Sequence, residues 1–313
     1  MPTELERVLA AAREVSWAEH GRRLGVYLPG MFVAYGRRGR YPAVSLTGSR
    51  CALGCDHCAG RLLEPMLPAT TPQDLLSLGR ELWRRGEQGI LLSGGSDASG
   101  RLPWKRFIEA IAALSAETGL TITAHVGRID QVTAGALKRA GVRQALIDVV
   151  GEAETARRVL HLPDGLAAQE ETLAACGAVG LELAPHLILG LHRGRMLGEW
   201  RALERLARLK VRRVVFVIFM PLKGTPLEAA RPVGVEEAAR FMAEARQVLP
   251  EARHHLGCAR PRGRYRAQLD RLAVAAGINA LALPSDAALQ AAAELGIEVV
   301  NHDVCCSLDG EVP

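Results

Sequence analysis

Three cysteines, Cys51, Cys55 and Cys58, stand in the stretch "SLTGSRCALGCDHCAG" (45–60) with CxxxCxxC spacing. In a reducing compartment, thiols gathered this way point to metal or redox chemistry ahead of structural disulfides. A structural zinc site takes four tetrahedral ligands, usually as two separated pairs, and here only His57 lies beside the thiols to complete a set. A cluster of four irons held by three thiolates instead leaves one iron with a free position, which is useful only if something else binds there.

Other residues share this chemical potential. In "SGGSD" (93–97), Gly94 and Gly95 let the backbone approach a ligand and present N–H groups, and Ser96 follows them. Asp148 stands where a carboxylate either accepts from ribose hydroxyls or serves structure, as a helix cap or a partner of Arg157 or Arg158. His125 and His192 are either site residues or satisfied structural histidines. Cys176, in "AACGA", reads as a small buried hydrophobe. Cys258 in "LGCARPRGRYR" and Cys305–Cys306 in "VNHDVCCSL" lie in polar settings that favour reachable thiolates. A C-terminal tail folded across the mouth of the fold would join these three as ligands of a second, auxiliary iron–sulfur cluster; otherwise the tail cysteines are plain surface thiols, or only one of the vicinal pair is a ligand.

Something must position these residues. Apolar, β-branched runs at 43–46, 89–93, 120–126, 144–150, 181–190, 211–219, 253–257 and 278–283 read as strands. Helical patterns separate them at 72–86, 103–118, 130–140, 165–178, 194–209, 234–248, 262–276 and 285–295. Continuous apolar strands alternating with helices imply a parallel sheet buried on both faces, so the fold class is α/β. Eight repeats fit a TIM-like (β/α)8 barrel, with a six-stranded partial barrel as the alternative. The expected organisation is an N-terminal helical extension (1–40), a barrel (41–296) and a C-terminal tail (297–313) over the barrel mouth. In such a barrel, function gathers at the C-terminal strand ends. The cysteine loop, "SGGSD", His125, Asp148, "LGLHRG" (189–194), "MPLKGTP" (220–226) and Cys258 all fall there.

Composition narrows the field. Hydrophobic residues at 49% support a large core, and aromatics at 4% make base-stacking platforms for single-stranded nucleic acid an unsuitable reading. A formal charge of +5, spread as scattered arginines, reads as a solvated basic surface or one that meets an acidic protein. No run approaches the ~20 apolar residues of a bilayer span, and "MPTELERVLAAAREVSW" reads as an amphipathic helix with acids, not a signal peptide. The expected location is cytoplasmic, with no nucleic acid or membrane as partner.

CxxxCxxC on the loop after a first barrel strand resembles the radical S-adenosylmethionine (radical SAM) superfamily. The resemblance implies a 4Fe-4S cluster on Cys51, Cys55 and Cys58, with S-adenosylmethionine chelating the fourth iron. Reductive cleavage then makes a 5′-deoxyadenosyl radical that abstracts hydrogen from an unactivated C–H bond. It further implies that His57 packs near the adenine and that Gly94, Gly95 and Ser96 contact the methionyl group; Ser96 stands where the superfamily carries Glu. His125 and Asp148 are carried over as cofactor-binding positions.

"PHLILGLHRGRMLGE", "MPLKGTP", "LGCARPRGRYR" and the closing "CCSL", taken with the cysteine and glycine segments, are similar to the biotin-synthase-related radical SAM proteins, from about residue 43 to 308. That group includes paired lipoyl synthases. The narrower resemblance implies sulfur insertion into a protein-bound octanoyl chain, with Cys258, Cys305 and Cys306 holding the auxiliary cluster and Ser307 as a further ligand. Implied partners are a paralogous radical SAM subunit, an octanoylated lipoyl domain or glycine-cleavage carrier protein, and a low-potential electron donor. The alternatives are a biotin-synthase-like enzyme or maturase acting on a small molecule, and a non-catalytic iron–sulfur scaffold. The intact cysteine and glycine motifs argue against the scaffold.

Overall fold

The computed structural model describes residues 1–34 and 36–310; Tyr35 and residues 311–313, the end of the expected tail, lie outside the described residues. Among the described residues one large sheet contains β1 (Arg23–Tyr27), β2 (Ala43–Ser45), β3 (Leu67–Pro68), β4 (Gly89–Ser93), β5 (Thr121–His125), β6 (Val142–Val149), β7 (Glu182–Leu189), β8 (Arg213–Ile218), β9 (Arg253–Leu256), β10 (Ala280–Ala282) and β11 (Glu298–His302). Their order is β11-β1-β10-β9-β8-β7-β6-β5-β4-β2-β3, and neighbouring strands run parallel. The eight expected strands are β2 and β4 to β10, so the parallel α/β architecture stands. The sheet curls into an incomplete barrel. A backbone bond of 2.7 Å from Arg40, leading into β2, to Asp303, following β11, ties its two ends together.

Three strands of this sheet were not expected, the shortest being β3, whose two residues carry no apolar run. β1 lies within the segment read as a helical extension, yet it is inserted between β10 and β11. Leu24 to Tyr27 are buried there, although Arg23 and Gly25 interrupt the apolar run. β11 falls in the expected tail because its residues are only half-buried or exposed, and the polar Asn301 and His302 dilute its strand signal.

The helices follow from amphipathic spacing and local caps. They are α1 (Glu4–His20), α2 (Pro72–Arg84), α3 (Trp104–Glu117), α4 (Gln131–Arg139), α5 (Ala153–Arg158), α6 (Gly165–Ala178), α7 (Glu199–Arg208), α8 (Val235–Val248), α9 (Arg264–Ala275) and α10 (Asp286–Glu294). Thr71 and Asp74 form a reciprocal capping box on α2, satisfying two otherwise orphaned amides. Phe107, Ile111 and Leu114 of α3 are fully buried, at four- and three-residue steps that put them on one face, each adding about 1.5–3 kcal/mol. Strand residues alternate between two apolar layers. Ile90, Ile122, Val214 and Phe216 face the helices, while Tyr27, Leu146, Ala184, Ala280 and Ala282 line the interior together with Val304 and Leu308 of the tail. No described helix is long and apolar enough to cross a membrane.

Candidate active site

β2 delivers the chain into the cysteine loop. Tight turns fold it: the amides of Cys58 and Ala59 both donate to the Cys55 carbonyl, at 3.1 and 2.8 Å. These turns need left-handed backbone, with φ 55° at Gly54 and 79° at Gly60. They bring the Cys55 and Cys58 sulfurs into hydrogen-bond contact. That bond from Cys55, helped by His57 and opposed by burial, pulls the Cys58 thiol down to about 4, and the same contact pushes Cys55 up. All three thiols are free.

The glycine segment fits against this loop. Ala52 donates its amide to the Ser96 carbonyl at 2.7 Å, and the Gly95 amide donates to Thr47 Oγ1 at 2.6 Å. A Cβ on Gly95 would collide with the Arg50 carbonyl and with Cys51, so close approach requires glycine there. Burial alone would lower His57, but the Cys58 sulfur and the charge of Asp148 raise it, and its Nδ1 is buried with no partner. Among the described residues no three His, Cys, Asp or Glu side chains are already spaced to hold a metal ion. The donor set is nevertheless suited to an iron–sulfur cluster: three reduced thiols in one folded loop, one of them favouring the thiolate that bonds metal.

Below this loop the interior wall is polar. His125 ends β5, Asp148 is the penultimate residue of β6, and His186 lies on β7 opposite Asp148 in register. The two imidazoles stand 5.2 Å apart, tilted by 55°. His186 Nδ1 lies 2.9 Å from the Ala184 carbonyl, so this nitrogen donates and Nε2 is left as an acceptor. Burial and the neighbouring His125 hold His186 down to about 4, and burial also lowers His125. Both rings are therefore neutral near pH 7. The structural alternatives for Asp148 do not hold: Glu152 caps α5, Arg158 pairs with Glu154, and Asp148 stays exposed. His192 is held elsewhere, 3.1 Å from Thr155 Oγ1. Sequence reasoning missed His186. Its only signal was an imidazole in the second half of an apolar strand, "LELAPHLIL".

The tail departs from expectation. It does not lie across the C-terminal mouth but turns into the interior against the first residues of β6 to β9. The Ser307 carbonyl accepts from Gln144 Nε2 at 3.2 Å and from Arg213, and Asp309 meets Arg213 at 2.6 Å and Arg253 at 3.3 Å. The reason is pairing. These buried or half-buried cations at the strand starts need acceptors, and Val304 and Leu308 fill the apolar space above them. His255 Nδ1 fixes the Cys306 carbonyl at 2.7 Å.

This route brings Cys258, Cys305 and Cys306 together. Cys306 hydrogen-bonds to both other sulfurs; those bonds lower Cys258 and bring Cys305 to about 7, while raising Cys306. Ser307 is fully buried with Oγ 3.2 Å from Cys305 Sγ. Arg260, paired with Asp270 at 2.7 Å with both side chains fully buried, anchors the Cys258 loop to α9. Cys176 is buried in α6, away from either group.

No family model matches the chain. The biotin synthase of Pelotomaculum thermopropionicum is 30% identical over 250 residues, covering 76% of this chain and 74% of that protein. The biotin synthase of Acidithiobacillus ferrooxidans is 27% identical over 241 residues, 74% of this chain and 72% of that protein. Among solved structures, methylornithine synthase aligns with TM-score 0.66 at 16% identity, covering 96% of this chain and 91% of its own. The [FeFe]-hydrogenase maturase HydG aligns with TM-score 0.68 at 13% identity, covering 97% and 70%. At such identities the structural matches speak to the fold alone. The sequence relatives go further, and with the cysteine loop and the parallel barrel they identify the chain as a radical SAM enzyme of the biotin-synthase-related family.

Proposed function

We propose that this enzyme inserts sulfur at C–H positions of a protein-bound octanoyl chain, acting as one subunit of a two-component lipoyl synthase with a paralogous radical SAM partner. The observation that carries the reading is the second thiol group, Cys258 with Cys305 and Cys306, inside the same barrel as the CxxxCxxC loop. A cluster on the cysteine loop supplies the radical chemistry when S-adenosylmethionine and a low-potential electron donor are present. This chain's residues do the rest. Gly94, Gly95 and Ser96 lie beside the loop for the methionyl group, Asp148 presents an accessible carboxylate to ribose hydroxyls, and the tail thiols hold a second, sulfur-donating cluster with Ser307 beside them.

Replacing Cys258 and Cys306 by alanine tests this. Iron should fall from about eight to about four per chain, on the two-cluster count, with 5′-deoxyadenosine still formed and sulfur transfer lost. An unchanged iron count refutes the auxiliary site.

The carrier reading also needs a docking face. Arg193 and Arg195 after β7, Lys223 and Arg231 after β8, and Arg262 and Arg264 after β9 are exposed. Their loops touch: Tyr265 Oη donates to the Val233 carbonyl at 2.9 Å. Glu228 is the one acid of those loops, and it accepts from the Gly224 amide. Such a face suits an acidic carrier domain. Arg260 and Arg266, beside them in sequence, take no part, since Arg260 is buried with Asp270 and Arg266 bonds to the Arg260 carbonyl.

A second reading is a biotin-synthase-like reaction on a small molecule. The relatives named biotin synthase favour it, as does the polar wall of His125, Asp148 and His186, which a plain alkyl chain would leave unpaired. Product analysis with an octanoylated lipoyl domain, set against small-molecule substrates, separates the two.

A further inference from the structure

The cysteine loop is gripped by a segment of different origin. Residues 159–161 follow α5, at the end of the connection from β6. The Asp56 amide donates to the Val159 carbonyl at 2.9 Å, and Cys55 Sγ lies 3.4 Å from the Leu160 carbonyl. His161 then closes on the loop with both ring nitrogens: Nδ1 lies 2.8 Å from the Leu53 carbonyl and Nε2 lies 3.0 Å from Asp56 Oδ1. Its backbone sits at φ 58°, in the left-handed region that non-glycine residues seldom occupy. A strained backbone that aims one ring at two partners is the kind of outlier from which function is inferred.

We propose that His161 is a positioning residue for the SAM-binding cluster. Leu53 lies in the spacer between Cys51 and Cys55, and Asp56 lies in the spacer between Cys55 and Cys58. One ring therefore touches the loop on both sides of Cys55 and sets the two spacers relative to each other. A carbonyl and a carboxylate both accept, and each ring nitrogen stands within hydrogen-bond distance of one of them. Removing the ring frees the first spacer and leaves the Asp56 carboxylate unpaired one residue from Cys55. Charge and hydrogen bonding near a cluster set its potential, so that loss makes the cluster harder to reduce.

The proposal rests on the loop holding the cluster, and the experiment separates the two ideas. It is run on full-length protein carrying Cys258→Ala and Cys306→Ala, so that only iron on the cysteine loop is counted. In that background His161→Ala should keep the apoprotein unfolding midpoint, lose reconstituted iron to a chelator about tenfold faster, the low end of what supporting residues around metal ligands cost, and show a more negative reduction potential. His161→Gln, keeping one donor arm, should fall between. Rates and a potential equal to the parent's in His161→Ala overturn the positioning role, whereas a parent protein that binds no iron overturns the cluster assignment itself. If His161→Ala fails to fold, Asp56→Asn decides: it removes the charged half of the clasp from the other side, and an unchanged iron-loss rate there overturns the proposal.

Discussion

Arg213 is the residue on which the tail hangs, and its replacement by methionine tests the latch. Its side chain is 3% exposed and contacts the Ser307 carbonyl, Glu182 and Asp309. Breaking a buried ion pair by removing one partner costs about 3–5 kcal/mol; Glu182 and Asp309, at 29% and 35% exposed, recover water, which reduces the expected loss to about 2 kcal/mol. Methionine keeps the apolar stem, so the change isolates the head group. Asp309→Asn, which spares the Arg213–Glu182 contact, should cost about 1 kcal/mol. If the latch acts as a unit, the double variant loses less than the sum by at least about 0.5 kcal/mol. Urea unfolding of the apoprotein measures the cycle, and hydrogen exchange of the amides of 303–310 reports whether the tail is the part that opens. Additive losses, with tail amides as protected as in wild type, would refute the latch.

Replacing Cys51, Cys55 and Cys58 together by alanine should abolish reductive S-adenosylmethionine cleavage; mutant protein that still forms 5′-deoxyadenosine would remove the basis for the site. Glu199, buried under Gly190, has its carboxyl raised by burial against the amide bond it accepts. A folded value above the unfolded one means that its stabilisation is complete below the unfolded value, about 4.3, and fades as pH rises through the folded one. Glu199→Gln should therefore gain on wild type between pH 4 and 8 in urea midpoints, and a constant difference would contradict this. Reversing Arg193 and Arg231 to glutamate should weaken turnover of an octanoylated carrier, with a salt dependence flatter than wild type, while sparing a short octanoyl-lysyl peptide. Equal loss on both substrates would place those arginines at the reacting site.

Most of the sheet was legible because a parallel strand buried on both faces carries an uninterrupted apolar run, as in "VVFVI" (214–218) of β8. β1 and β11 were not, because one is broken by arginine and glycine and the other is half-exposed. For the site, a short motif was visible wherever its members were close in sequence, as with Cys51, Cys55 and Cys58. Contacts across long separations were hidden: nothing near His161 announces that its ring reaches Leu53 and Asp56, and nothing near Arg213 announces Ser307. The seat of the tail was missed for the same reason, since the two cations that receive it, Arg213 and Arg253, belong to the starts of separate strands.

The insertion of β1 between β10 and β11 has a consequence for how the chain is made. β1 pairs with residues 280–282 and 298–302 and with no other described strand. From its synthesis until those partners emerge, its row of amides and carbonyls stays an open edge, with buried-type residues Leu24, Val26 and Tyr27 uncovered. Closure between such distant segments is slow, and a waiting edge is prone to associate with other chains. A chain cut after α9 would retain the whole CxxxCxxC loop and the glycine segment, yet carry an orphan strand. It should be recovered from cells as aggregate, not as a smaller working enzyme.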